Sequence, residues 1–263
     1  MNDRCVVKWG GGLITAKSAG VVRAPNLAVI ASLAQTVAAL HKRGVQVLLV
    51  HGAGSYGHLR ARRWRLAEGA LDPVEFAGLV RSADAEWCCA TQGDAVDQVR
   101  VEMLELSAHV CRALTAVGLQ PQPHPPHQWA HNTGVAFRGD LARFDVREPG
   151  VVPVTWGDVV DVDGAQSFGI LSGDDIVVRL ALEVPRVARL VFCVGGVDGL
   201  LAVPPHRATA ADLIPRWDAN DFSAFTGAHD ASIDVTGGIG VKAARGAHVV
   251  VASRGAVRVV LVN

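Results

Sequence analysis

Hydrophobic residues recur along this 263-residue chain in two patterns that indicate different elements. Short runs rich in β-branched residues, bounded by glycine or polar residues, are typical of strands buried in a parallel sheet. Apolar residues spaced three and four apart are typical of helices packed on such a sheet. The first pattern predicts strands at residues 5–9, 45–51, 188–194, 248–253 and 257–262.

Helical spacing is clearest over residues 26–43, and Gly44 is placed to end that helix. Pro25 suits the first helical position, where no intrahelical N–H bond is needed. Residues 76–117 are also mainly helical, with a predicted break near Gly93. Two further helices are predicted, one capped by Ser172 and a short one carrying Lys242.

Strands and helices alternate along the chain, which favours an α/β fold on a mainly parallel sheet. The first 58 residues form a β-α-β unit with two glycine-rich loops at the carboxyl edge of that sheet, where ligands bind in open α/β folds. Residues 135–162 show short strands and turns, one of them at Gly157-Asp158. The length suffices for one large domain or two closely joined lobes.

The loop from His51 to His58, with the sequence HGAGSYGH, has the clearest chemical character. Glycine lets backbone N–H groups approach a phosphate without a Cβ in the way, and a following helix adds its positive N-terminal end. The flanking histidines add donors that can carry charge near neutral pH. A plain strand-to-helix turn would not require them, so the loop is predicted to bind an anion.

Charge and cysteine content exclude several classes of function. Lys and Arg total 25, as do Asp and Glu, which gives no sign of nucleic acid or an anionic membrane as a partner. No apolar run approaches the roughly 20 residues that span a bilayer, and the N-terminus lacks a signal-peptide core, so a cytoplasmic location is expected. The five cysteines lack metal-ligand spacing, and His124 and His127 have no acidic neighbour in sequence, so no metal site is predicted.

Only four of the 25 basic residues are lysines: Lys8, Lys17, Lys42 and Lys242. Three of them lie in or beside glycine-rich segments, whereas Lys42 ends a predicted helix. A compact ammonium on a flexible stem suits a phosphoryl group in transfer better than a planar guanidinium does. The other three lysines are therefore candidates for phosphoryl-transfer chemistry.

Segments along nearly the whole chain resemble, in order, the motifs of the amino acid kinase superfamily, and within it those of the isopentenyl phosphate kinases. The matching segments are 8–12 (KWGGG), 14–17 (ITAK), 51–58 (HGAGSYGH), 157–158 (GD), 172–176 (SGDDI), 197–199 (VDG) and 234–238 (DVTGG) followed by Lys242. The resemblance implies an open αβα sandwich with a mainly parallel central sheet, and usually a homodimer. It implies one domain over residues 1–263, with an acceptor-binding lobe at about 1–170 and a nucleotide-binding lobe at about 171–263.

The resemblance also implies an activity, namely ATP-dependent phosphorylation of a small phosphate monoester, most closely isopentenyl phosphate to its diphosphate. Mg²⁺ is expected because ATP arrives with it. The implied catalytic residues are Lys8, Lys17, His58 and Lys242. The implied nucleotide-binding residues are Gly10, Gly11, Asp198, Gly237, Gly238 and Lys242. The implied acceptor-binding residues are Gly54, Ser55, His58, Gly157, Gly173 and Asp174.

Several positions depart from the family's motifs. Gly12 replaces a serine, Ala53 replaces a glycine, and Trp156 stands where isopentenyl phosphate kinases often have histidine. Gly195-Gly196 replaces Thr-Asp, and that aspartate commonly orients the lysines in this superfamily.

The missing aspartate predicts a slower kinase whose lysines are organised mainly by Mg·ATP, with help from Asp198 or Asp174. Restoring the carboxylate with Gly196→Asp is then expected to raise turnover, provided that Gly196 does not need a positive φ angle.

Three alternatives remain open. A phosphonate kinase resembling fosfomycin kinase would share the glycine–histidine loop, although the intact segments 172–176 and 234–238 favour the isopentenyl phosphate branch. A nucleotide-binding protein with weak catalysis would agree with the presence of Gly196 in place of the family's aspartate. A dinucleotide-dependent oxidoreductase would agree with Gly52-x-Gly54-x-x-Gly57, but this pattern alone is weak and leaves the loop lysines unexplained.

Overall fold

The computed structural model describes residues 3–16, 23–81, 89–203, 205–219 and 238–263. The strands are β1 (Arg4–Trp9), β2 (Gln46–His51), β3 (Gln120–Pro123), β4 (Ala130–His131), β5 (Arg138–Gly139), β6 (Val151–Trp156), β7 (Asp158–Asp161), β8 (Phe168–Leu171), β9 (Val187–Cys193) and β10 (Arg258–Val262). The helices are α1 (Gly11–Ile14), α2 (Leu27–Lys42), α3 (Gly57–Arg63), α4 (Pro73–Arg81), α5 (Gln92–Ala116), α6 (Gly173–Glu183) and α7 (Gly238–Ala252).

Six strands form the central sheet in the order β10-β9-β1-β2-β6-β3, and every neighbouring pair is parallel. β1 lies inside this sheet, and all six of its residues are buried. Parallel strands require crossover connections. α2 lies in the connection from β1 to β2, and α7 lies in that from β9 to β10. The strands therefore end at one shared carboxyl edge, and the predicted parallel α/β fold is confirmed.

Alternate residues of β1 pack against opposite layers, because successive side chains of a strand point to opposite faces. Val7 and Trp9 belong to a core that includes residues of α2 and α5. Val6 belongs to a second core that includes residues of α6 and α7. Helices thus cover both faces of the sheet, which confirms the open αβα sandwich and places Lys8 on the same face as Val6.

A smaller sheet has the order β5-β4-β7-β8. β4 and β5 precede β6 in the chain, whereas β7 and β8 lie between β6 and α6. β7 and β8 form an antiparallel pair in which Asp158 lies opposite Leu171. One residue, Gly157, separates this pair from β6, and the pair returns the chain to the start of α6. The short strands expected between residues 135 and 162 are confirmed.

The predicted strand at 248–253 is wrong, because residues 248–252 form the end of α7. Val249 is fully buried while Val251 is 54% exposed, as expected for two positions on different faces of a helix. A short apolar run does not by itself distinguish a strand from a partly buried helix. Pro25 is also not the first residue of α2, since Asn26 caps that helix and Pro25 bridges to Thr15.

Other predicted boundaries hold. α2 ends at Lys42, and Gly44 adopts a φ of +78°. α5 begins just before Gly93, where Thr91 and Asp94 form a reciprocal capping box. Among the described residues, no helix is long and apolar enough to cross a membrane.

Candidate active site

Three glycine-rich loops meet at the carboxyl edge of the central sheet, after β1, β2 and β9. The N–H of Gly10 donates to the carbonyl of Cys193 at 2.8 Å. A Cβ on Gly11 would lie 2.3 Å from the backbone nitrogen of Gly54, and a Cβ on Gly52 would lie 2.6 Å from that of Gly11. Side chains do not fit at such separations, so the glycines allow the loops to touch through their backbones.

Thr15 fixes this contact, although no sequence pattern singles it out beyond its place in the ITAK segment. Its hydroxyl donates to the carbonyl of Gly11 at 2.8 Å and accepts from the N–H of Ser55 at 2.9 Å. The Ser55 hydroxyl oxygen accepts from the N–H of Ala24 at 3.2 Å. These bonds hold the 51–58 loop in place and leave the hydroxyl hydrogen of Ser55 able to donate to an anion.

Lys8 of β1 and Lys242 of α7 converge on the carboxylate of Asp174 at the start of α6. The Lys8 ammonium contacts Oδ1, and the Lys242 ammonium lies 3.4 Å from Oδ2. Lys242 also donates to the carbonyl of Gly238 at 3.2 Å. Lys8 is 5% exposed and Asp174 is 2% exposed. One buried carboxylate therefore faces two ammonium groups, and the remaining positive charge suits a phosphate.

The pKa values of Lys8 and Asp174 depend on both their burial and the charges of their neighbours. Burial lowers the pKa of Lys8; the Asp174 carboxylate opposes that shift and the Lys242 ammonium adds to it. Burial alone would raise the pKa of Asp174, but the two ammonium groups together lower it below its ordinary value. Asp174 is therefore ionised at neutral pH and acts as the counter-charge of both lysines.

Gly157 and Gly173 lie together beside Lys8. A Cβ on Gly173 would lie 3.3 Å from Cε of Lys8, and a Cβ on Gly157 would lie 3.0 Å from the backbone nitrogen of Gly173. Ser172 caps α6 by accepting from the N–H of Asp174 at 3.1 Å, which confirms the predicted N-cap. The positive end of the helix dipole is thereby added to the charge of the lysines.

The two histidines of the 51–58 loop have different surroundings. His51 is fully buried, and its ring stacks on Trp156 with centroids 5.3 Å apart. Burial lowers the pKa of His51 to about 4, so its ring is neutral at physiological pH. His58 lies in the first turn of α3 and is partly buried. His51 therefore serves packing, and His58 is the histidine of this loop that can meet a ligand.

His127 and Asp158 form a second polar pair near this edge that sequence reasoning missed. Nδ1 of His127 lies 2.8 Å from Oδ2 of Asp158, and the Asp158 side chain is fully buried. The two residues are separated by 31 positions, so proximity in sequence does not indicate the contact. Asp158 directly follows Gly157, so the pair lies just beyond the carboxyl end of β6. In the described part of the chain, no group of three or more potential metal ligands is present.

The loop after β9 lies beside α1. A Cβ on Gly195 would lie 3.0 Å from Cα of Leu13, and Gly196 adopts a φ of +83°. That φ lies in the region that favours glycine, so the condition for a gain from Gly196→Asp is not met. Oδ1 of Asp198 accepts from the side-chain amide of Asn263 at 3.1 Å. Among the described residues, Asp174 is the carboxylate that contacts Lys8 and Lys242.

Two predicted site residues, Lys17 and Gly237, lie outside the described residues, as do positions 234–236 of the same segment. Gly238, the last residue of that segment, is the first residue of α7. Lys8 lies within β1. The other described candidates lie on loops or helix ends that follow β1, β2, β6, β8 and β9, or in the N-terminal part of α7.

Comparison with known proteins gives matches over nearly the whole chain. The model of the amino acid kinase family matches residues 3–263. An isopentenyl phosphate kinase of Thermoplasma acidophilum is 32% identical over 238 residues, covering 90% of this chain and 83% of that protein. An isopentenyl phosphate kinase of Methanothermobacter thermautotrophicus is 28% identical over 246 residues, covering 89% and 82%.

Solved structures agree with the fold. The product complex of T. acidophilum isopentenyl phosphate kinase superposes with a TM-score of 0.72 at 24% identity, covering 98% of this chain and 90% of that one. A structure described as the isopentenyl phosphate kinase substrate complex superposes with a TM-score of 0.70 at 25% identity, covering 99% and 91%.

Proposed function

Since the chain belongs to the amino acid kinase family, we propose that it transfers the γ-phosphoryl group of ATP to isopentenyl phosphate, producing isopentenyl diphosphate and ADP. The observation that carries the proposal is the convergence of Lys8 and Lys242 on Asp174 beside three glycine loops. Phosphoryl transfer depends on alignment and charge neutralisation more than on covalent participation of the protein. The choice of acceptor is supported by relatives of that name that match 90% of the chain.

On the donor side, the ATP phosphates would approach the loops after β1 and β9 and the start of α7. Gly10 and Gly11, at the end of β1, would contribute their backbone to this side, and Gly238, Asp198 and the neighbouring Gly237 would complete it. Lys8 and Lys242, with Lys17, would neutralise charge on the γ-phosphoryl oxygens. A need for ATP agrees with the cytoplasmic location expected from the sequence.

On the acceptor side, the phosphate monoester would lie between the 51–58 loop and the Gly157–Gly173 contact. His58 and the Ser55 hydroxyl would donate to its oxygens, and Gly54 would hold the loop in place through its close contact with Thr15 and Gly11. One acceptor oxygen bonds to the γ-phosphorus as the bond from that phosphorus to the bridging oxygen of ADP breaks. A phosphate oxygen is already ionised near neutral pH, so the step needs no strong general base.

Magnesium would enter as Mg·ATP. Mg²⁺ prefers oxygen ligands and keeps several waters, so the phosphates can supply much of its coordination. The described residues include no group of three or more potential metal ligands, and Asp174 is engaged by the lysines. This donor set suits an ion carried by the nucleotide better than a resident ion held by the protein.

A coupled ADP-release screen with Mg·ATP tests the function over isopentenyl phosphate, other alkyl phosphates, phosphonates and amino acids. We expect the highest kcat/KM on isopentenyl phosphate, with a diphosphate product visible by ³¹P NMR. Asp174→Asn should abolish most turnover, whereas Glu183→Gln at the far end of the same helix should not. Preference for a phosphonate, or nucleotide binding without turnover of any phosphate, would replace this proposal with one of the alternatives.

We also propose a homodimer, as the family resemblance implies, formed through the outer face of α5 and the edge strand β3. Val101 and Leu104 on α5 are 59% and 42% exposed. A groove of about 780 Å³ lies between α5 and β3, with Leu104, Cys111, Ala116 and Pro123 in its lining. A twofold contact would cover these apolar groups on both copies at once. Light scattering should give a dimer mass that Leu104→Glu reduces to a monomer, and a monomeric wild type would contradict this interface.

A further inference from the structure

We propose that Asp175 and Arg245 are positioning residues whose ion pair fixes α7 against α6 so that Lys242 reaches Asp174. The inference rests on the proposed role of Lys242 in phosphoryl transfer. No motif of the sequence assigns Arg245 a function, and Asp175 is otherwise explained as an acid in the first turn of a helix.

The first observation is that two adjacent carboxylates of α6 each hold a cation of α7. Asp174 lies 3.4 Å from the Lys242 ammonium. Nε and Nη2 of Arg245 each lie 2.7 Å from Oδ1 of Asp175. The two contacts are one residue apart on α6 and three residues apart on α7, which puts Lys242 and Arg245 on neighbouring positions of one helix face.

The second observation concerns how α7 is held. Apolar packing, which is not directional, holds α7 through its buried residues Ala243, Ala247 and Val249. A polar contact one turn from Lys242 adds a directional restraint against rotation and sliding of the helix. The Arg245 pair supplies that contact with a planar, multi-donor group. The Asp175 side chain is 9% exposed and that of Arg245 is 33% exposed, so the pair lies at the border of the helix interface. Its strength is therefore less reduced by water than that of a surface pair.

The third observation is electrostatic. Burial raises the pKa of Asp175, the Arg245 guanidinium opposes that shift, and the neighbouring Asp174 adds to it. Arg245 thus helps to keep a second carboxylate ionised beside the lysines. The Asp175 carboxylate in turn favours the charged form of Lys8. The pair therefore affects both the place and the charge of the lysine cluster.

Kinetics provide the first test, using Arg245→Ala, Arg245→Lys and Asp175→Asn. We expect kcat to fall roughly 10- to 100-fold in Arg245→Ala and Asp175→Asn, because small misplacements of a reacting group have effects of that order. KM for isopentenyl phosphate should change less than twofold, and Arg245→Lys should recover most of kcat. Glu183→Gln is the matched control, since it breaks another Arg–acid pair of α6, that with Arg179, away from the lysines.

An activity-independent test uses the small number of lysines. Four lysines give four side-chain ammonium groups that NMR can assign by Lys→Arg substitution. In the protein without substrate, Arg245→Ala should shift the Lys242 signal and leave that of Lys42 unchanged, while Glu183→Gln should shift neither. This result would hold even if the protein proved inactive on every phosphate, so it separates the two proposals. An unmoved Lys242 signal, or a lower melting temperature with unchanged kcat, would overturn the inference.

Discussion

His51 and His58 end the same loop, but at the scale of single residues their surroundings separate their roles. His58 is the candidate donor to the acceptor phosphate, so we predict that His58→Ala lowers kcat by roughly 100- to 1,000-fold, as the loss of one transition-state donor does. Steady-state kinetics on isopentenyl phosphate, with a thermal melt to verify folding, measures this. His109→Ala removes a histidine that contacts Arg112 on α5 and should leave kcat unchanged. Equal rates for His58→Ala and wild type would refute the assignment.

His51 makes stability depend on pH. Its pKa falls from 6.5 to about 4 in the folded protein because the ring is buried. The unfolded chain then binds the proton more readily than the folded protein. The contribution of neutral His51 to the free energy of unfolding is therefore complete above about pH 6.5 and is lost as the pH falls toward 4.

His51→Phe retains an aromatic ring against Trp156 and removes the titration. We predict that the loss of unfolding free energy between pH 7 and pH 5 is smaller in this variant by about 2 kcal/mol. Urea unfolding at the two pH values measures the difference. Identical pH dependence in both proteins would show that His51 does not titrate as described.

Gly196 is a residue at which the structure reverses a sequence-based expectation. The φ of +83° makes aspartate unfavourable there by roughly 1–2 kcal/mol. We therefore predict that Gly196→Asp lowers the melting temperature and does not raise kcat, because Asp174 already supplies the counter-charge. Gly196→Ala is the control for the backbone effect alone. A folded Gly196→Asp protein with a higher kcat would show that the lysines lack a sufficient counter-charge.

At the scale of elements, the start of α6 combines stability with the site. We predict that Ser172→Ala lowers the free energy of unfolding by about 1 kcal/mol, the usual effect of losing an N-cap. It should also lower kcat, because the Ser172 hydroxyl accepts from the N–H of Asp174. Thr91→Ala removes the cap of α5 and should reduce stability similarly without changing kcat. Denaturant unfolding and steady-state kinetics on both variants test this. Equal losses of kcat in Ser172→Ala and Thr91→Ala would contradict it.

Elements with a strong local pattern could be predicted from the sequence, and those decided by tertiary packing could not. β1, β2 and β9 are buried apolar runs between glycine and polar residues, and their predicted positions agree with the structure to within about two residues. Residues 248–253 carry a similar run, but there packing on α6 and β10 selects a helix. Motifs name Lys8 and Gly54 as candidate site residues, and the N-cap role predicted for Ser172 is confirmed. The contacts of Asp174 and the His127–Asp158 pair were not predictable, because they join distant parts of the chain.

At the scale of the whole molecule, the site is where the two parts of the chain share one sheet. The part before residue 171 contributes β1, β2, β3 and β6, and the part after it contributes β9 and β10. Lys8 comes from the first part, while Asp174 and Lys242 come from the second. The lysine cluster therefore joins side chains from both parts of the chain, and its complete form requires that both parts are folded together.

The position of β1 inside the sheet has a consequence for biosynthesis. Arg4 pairs with Val187, and these two residues are 183 positions apart in the chain. At about 5–20 residues per second, a ribosome makes the second strand roughly 10 to 40 s after the first. During that interval one hydrogen-bonding edge of an apolar strand has no native partner, which is a condition that favours association with other nascent chains. Slower initiation or a lower growth temperature, which reduce the number of such chains present together, should raise the yield of folded protein.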